Sequence, residues 1–174
     1  KHEEHIIQEK YFETINNCNS LHIIHNGLMN EEKKQEIYIP YCSDNTSFNK
    51  EVAISNMNKK DFIEETVDCI KFDTWIEQNP QVDVGFIKID VEGHEAEVIR
   101  GALRLIKRCH PTIFVEILEP KSTNGQYVAS ALSGMGYTLE KTVEKNQIWR
   151  WTKPIQFLHV PKTGGTALRN ALKL

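Results

Sequence analysis

Several things are missing from this 174-residue chain, and each absence narrows what it can do. Positive charge is not in excess: 21 Lys and Arg stand against 24 Asp and Glu, for a net charge of −3. No Lys/Arg cluster is longer than a pair, so a nucleic-acid footprint has little support. No apolar run approaches the length of a membrane span. The opening Lys-His-Glu-Glu-His lacks the apolar stretch of a signal peptide. A soluble, cytoplasmic chain with no nucleic-acid or membrane partner is expected. The four cysteines, Cys18, Cys42, Cys69 and Cys109, include no C-x-x-C pair. Disulfide scaffolds and zinc sites need tighter grouping, so reduced, mostly buried thiols and no metal are expected. Internal repeats are absent as well.

What is present is enough to fold. Hydrophobic residues make up 40% and charged residues 26%, which allows a sizeable core. The length fits one domain with a piece of a second. The chain opens at Lys1 without a methionine and stops at Leu174 inside a helical pattern, so it reads as an excerpt.

Residues 4–17 carry Ile7, Tyr11 and Ile15 at helical spacing. Residues 21–25 (LHIIH) read as a short strand ended by Asn26-Gly27, and 36–39 and 67–72 as further β runs. The polar stretch between Ser43 and Lys60 reads as a loop or an ordered lid. Asp73 or Thr74 is expected to cap a short helix reaching Asn79. Residues 84–91 (VGFIKIDV) read as a parallel strand covered on both faces. One helix is expected over about 94–108, with Ile99, Ala102, Leu103 and Ile106 as its buried stripe. A buried strand at 112–118, a helix at about 123–134 and a hairpin of 137–143 with 147–151 follow. This alternation is that of an α/β fold. A boundary is expected at Trp151–Pro154, separating a domain over 1–151 from a second strand, loop and helix over 155–174.

The densest chemical signal is Ile87-Lys-Ile-Asp-Val-Glu-Gly-His-Glu95. Ligands in open α/β sheets sit beyond the carboxyl ends of parallel strands, where Asp90, Glu92 and His94 would stand. Such groups could take a proton from a substrate hydroxyl or hold a metal. An alternative is that Glu92, Glu95 and Glu97 only complement the helix dipole. From the residues themselves both readings stand.

The stretch IKIDVEGHEAEVIRGA resembles the signature of the FkbM family of S-adenosylmethionine-dependent methyltransferases. YFETINN, EIYIP, CIKFDTWIE and TIFVEI follow in the family's order, so the likeness extends over most of residues 10–150. The resemblance implies a Rossmann-like methyltransferase sheet with S-adenosylmethionine as cofactor. It also implies O-methylation of a carbohydrate or other small-molecule acceptor. On this reading Asp90 and His94 lie near the acceptor as catalytic residues, with Glu92 and Glu116 lining the same rim. The family grips its donor mainly with a first strand and a Gly-rich loop, and no such loop stands before residue 84. Asn26 and Gly27 are the remaining candidates for the adenosine end, and this stretch of chain is expected to bind the donor poorly. An apolar strand edge is expected to be exposed where the first strand would pair.

A second motif, FLHVPKTGGTALRNAL, places a Gly-bearing loop between a strand and a helix, an arrangement suited to anions. It resembles the 5′-phosphosulfate loop that opens carbohydrate sulfotransferase domains. The resemblance implies that Lys162, Thr163, Gly164, Gly165 and Thr166 hold 3′-phosphoadenosine-5′-phosphosulfate. Two rival readings stay open: a sulfotransferase on a degenerate methyltransferase-like platform, and a non-catalytic scaffold. Elsewhere, His2, His5, His22 and His25 have no partner spacing, and His110 reads as an ordinary helix-end residue. Trp149 and Trp151 on the hairpin strand read as core or interdomain packing, with a sugar platform as the alternative.

Overall fold

The computed structural model describes residues 24–41, 46–53 and 62–152. The helix expected over 4–17, Cys18, Cys42 and everything beyond Thr152, including Lys162–Thr166, lie outside the described residues. What is described is a mixed α/β structure with two open sheets. None of its helices is long and apolar enough to cross a membrane.

The first sheet has three strands. β1 (Gly27–Leu28) runs parallel to β3 (Phe62–Ile70), and β2 (Lys33–Pro40) runs antiparallel to β3 in a register from Lys33↔Cys69 to Pro40↔Phe62. Residues 24–26 are not in a strand, so Asn26-Gly27 opens one where it was expected to end one. The cause is local: the Asn26 carboxamide donates to the Asp68 carbonyl (3.1 Å), which leaves Gly27 opposite Cys69. Both long strands begin earlier than their apolar residues suggest. The Lys34–Asp68 ion pair links the two strands, and Lys50, from the segment after β2, pairs with Glu64 in the polar part of β3. The polar stretch after β2 is not plain loop in its described part. Ser47 exchanges two backbone hydrogen bonds with Tyr38, and Lys50–Ala53 forms a short helix, α1.

α2 (Phe72–Gln78) has Lys71 at its cap position, with no side-chain hydrogen bond there. Asp73 was expected to cap this helix but caps a different one. Its carboxylate is buried and accepts from the backbone N–H groups of Arg104 (3.1 Å) and Leu105 (2.9 Å). That capping explains why the expected helix over 94–108 is in fact two, α3 (Glu95–Arg100) and α4 (Leu103–Cys109). At the break, a Cβ on Gly101 would lie 2.1 Å from the Met29 carbonyl oxygen, so only glycine allows this approach. Restarting the helix changes its phase. Ile99, Ala102 and Ile106 are buried as expected, but Leu105 takes the buried place expected of Leu103.

The second sheet has the order β4-β5-β7-β6. β4 (Phe86–Ile89) is parallel to β5 (Thr112–Glu116), β7 (Asn146–Trp151) is antiparallel to both neighbours, and β6 (Tyr137–Val143) forms the C-terminal antiparallel hairpin with it. β4 is not covered on both faces. Ile87 and Ile89 are buried, while Phe86 and Lys88 are exposed on the other side. Among the described residues β4 pairs with β5 alone, and Phe86 is 59% exposed. α5 (Thr123–Gly134) is capped by Ser122, whose hydroxyl accepts from the Gly125 N–H. The core lies between this sheet and α3, α4 and α5, around Ile99, Leu105, Ile106, Ile113, Val115, Val128 and Leu132. Trp149 joins it, and Trp151 stacks on His110, the left-handed residue that ends α4. Cys69 is a buried free thiol and Cys109 a half-buried one.

Candidate active site

The segment leaving β4 turns sharply. Glu92 has φ 48° and Gly93 φ 99°, two consecutive residues in left-handed conformations. Glycine adopts this freely, whereas glutamate does so at a cost of about 1–2 kcal/mol. Two side chains hold the turn. Glu95 is 1% exposed, accepts from the Gly93 N–H (2.9 Å), and is hydrogen-bonded to the Asn124 carboxamide. Asn124 in turn accepts from the Ala96 N–H (2.7 Å), satisfying a free donor of the first turn of α3. Glu95 is thus a pin for the turn rather than a surface charge facing the helix dipole.

The second holder is Ser47, whose hydroxyl donates to the Glu92 carbonyl (2.9 Å). Neither Asn124 nor Ser47 was identified from the sequence. Each lies about 30 to 45 residues from its partner, and no local spacing marks it.

Between the turn and the first sheet lies a cleft of about 420 Å³. Asn26, Gly27, Asp90 and Glu92 all line it, with Leu28, Ile37, Phe48 and Val91 as its apolar walls. The two candidate donor residues and two of the acidic candidates, far apart in sequence, therefore share one cavity. His94 does not share it. Its ring lies edge-on to Phe48 (centroids 5.5 Å apart) and lines a neighbouring cavity of about 310 Å³, with Asn49, Glu97, Arg100 and Asn124. Its Nδ1 is buried and has no hydrogen-bond partner. Glu116, at the end of β5, lines neither cavity but is near enough for its charge to act on Glu92.

The electrostatics follow from this crowding. Burial pushes the Glu92 carboxyl above its usual range; the charges of Glu116, Asp90 and Glu95 push the same way, while Lys145 opposes them. Asp90 is exposed and paired with Lys88 (2.7 Å), and that pairing holds the Lys88 ammonium above its usual range. Among the described residues no group of three metal-ligating side chains comes together.

An acidic strand end facing a half-apolar cleft suits a small organic ligand with a cationic centre. The methyltransferase FkbM domain matches residues 7–151. The chain belongs to the FkbM methyltransferase family. Neither a curated protein nor a solved structure matches it significantly. Membership makes this a methyltransferase domain and S-adenosylmethionine its implied methyl donor.

Proposed function

We propose that this FkbM domain transfers the methyl group of S-adenosylmethionine to a hydroxyl oxygen of a carbohydrate or other small natural product. The observation that carries the reading is the cleft in which Asn26 and Gly27 face Asp90 and Glu92. The residues present suit part of the donor. Leu28, Ile37, Phe48 and Val91 offer apolar contact to a base, and the two carboxylates suit a sulfonium charge. Gly27 contributes backbone only, since a Cβ there would lie 2.7 Å from both Cys69 Sγ and Phe48.

When bound, the donor supplies an electrophilic methyl group. The chain's own share is to orient the acceptor hydroxyl and take up its proton. Asp90 is the exposed carboxylate of the cleft and the candidate proton acceptor. Glu92 lines the cleft with its carboxyl held above the usual range, and Glu116 acts on it only through its charge. His94 is the second candidate base, reached from the adjoining cavity. The test is methyl transfer by the intact protein with Asp90→Asn and His94→Gln, singly and together. Loss of about 10²-fold or more in kcat for Asp90→Asn is expected. Unchanged transfer in all three variants overturns the assignment.

The KTGGT motif at 162–166 supports a second reading, a sulfotransferase activity in the same protein using 3′-phosphoadenosine-5′-phosphosulfate. Titrating that nucleotide into the intact protein and its Lys162→Ala variant tests it. Binding that Lys162→Ala abolishes supports the reading, and no binding by the parent overturns it. Failure to bind either donor would leave a scaffold role.

A further inference from the structure

We propose that Ser47 is a positioning residue of this methyltransferase site, holding the backbone of Glu92 so that the carboxylates of Asp90 and Glu92 face the cleft. The inference rests on the reading of the cleft given above.

Ser47 is 2% exposed, and its hydroxyl both donates and accepts. It donates to the Glu92 carbonyl across 45 residues and accepts from the Asn49 N–H (3.0 Å). Its backbone is fixed independently by the Tyr38 N–H to Ser47 carbonyl bond (2.9 Å) and the reverse bond (3.2 Å). The serine therefore reaches from the edge of β2, in one sheet, to the turn after β4, in the other. The residue it grips needs gripping, because Glu92 is a non-glycine residue at φ 48°. The other end of the turn is held separately by Glu95 on the Gly93 N–H. Losing the Ser47 hydroxyl would free Glu92 without unseating α3. Ser47 and Phe48 also form part of the cleft wall, and Phe48 packs on His94, so the same short segment touches both cavities.

The experiment follows the Glu92 carboxyl directly. In the intact protein its titration is read by carbon NMR, with the resonance assigned by its loss in Glu92→Gln. The charged groups acting on it are Glu116, Asp90, Glu95 and Lys145. Ser47→Ala is expected to shift the midpoint down toward the ordinary carboxylate range, as Glu92 relaxes into solvent. Ser47→Thr, which keeps the hydroxyl, is expected to restore the parent titration. A Ser47→Ala titration that superimposes on the parent overturns the proposal. Should Ser47→Ala not fold, Ser47→Cys offers a similar shape with a weak donor, and the same two outcomes apply with a smaller shift.

Kinetics separates this idea from the reading beneath it. In an active protein, Ser47→Ala should lower kcat about tenfold with little change in KM for the donor, alongside the shifted Glu92 titration. An active parent with neither effect in Ser47→Ala overturns the positioning role alone. An inactive parent whose Glu92 titration still depends on Ser47 overturns the reaction reading and supports the hold.

Discussion

The two sheets divide the work of this domain. The four-stranded sheet is packed by α3, α4 and α5, and its central strand alternates with Ile113 and Val115 fully buried. Among the described residues the three-stranded sheet has little of this. Along β3 only Cys69 is buried, and Ile63 is 39% exposed. Stability is concentrated in one half, while the other contributes Asn26, Gly27 and, through the segment after β2, Ser47 and Phe48 to the cleft. A site between a rigid scaffold and a lightly packed neighbour can have precisely placed acids on one wall and adaptable polar and apolar contacts on the other.

The largest effects should fall in the packed half. Leu105→Ala, at a fully buried position, is expected to cost about 3 kcal/mol, whereas Ile63→Ala in the other sheet should cost less than about 1. Urea unfolding of both variants checks the contrast, and equal losses would break it. Next comes the seam between the halves. Gly101→Ala drives a Cβ into the Met29 carbonyl, and a loss of about 2–3 kcal/mol is expected by the same measurement. Asp73→Ala removes the cap of α4 and leaves two backbone donors unmet, for about 2 kcal/mol.

Two smaller effects concern polar groups. The Tyr137 hydroxyl is buried without a partner, so Tyr137→Phe should be neutral or stabilising by up to about 1 kcal/mol. Burial also pushes the Tyr137 pKa up to about 12. The unfolded tyrosine ionises first, so the parent should lose stability as pH rises from about 10 to about 12, and Tyr137→Phe should lose less. The smallest effect is at Glu92. Its folded pKa is raised, so its favourable contribution is full below the unfolded carboxylate pKa and is lost as pH rises through the folded one. Glu92→Gln should therefore gain a few tenths of a kcal/mol at about pH 7 and nothing at about pH 3, after allowing for its partial exposure. Thermal denaturation at the two pH values reads the difference.

The elements best read from the sequence are those whose signals are local. The helix over Thr123–Gly134 and the 137–151 hairpin depend on Ser122 and on a turn at Glu144-Lys145 between two β-prone runs, all within a few residues. The family signature was legible for the same reason, since it is one unbroken run. The break between α3 and α4 was not, because Asp73 and Met29 cause it from outside the segment. Nor was the exposed face of β4, where an apolar Phe86 and the aliphatic stem of Lys88 concealed an alternating pattern.

The sequence by itself determined the α/β alternation, the family and the acidic residues that end β4, because each is written in residue type and short spacing. Only the tertiary structure decided that Asn26 and Gly27 share a cleft with Asp90 and Glu92 while His94 faces another cavity. That choice depends on two left-handed residues held by Ser47 and Glu95, and on Phe48 packing against His94. These are contacts between distant segments, which the burial of a core brings together and no local pattern encodes.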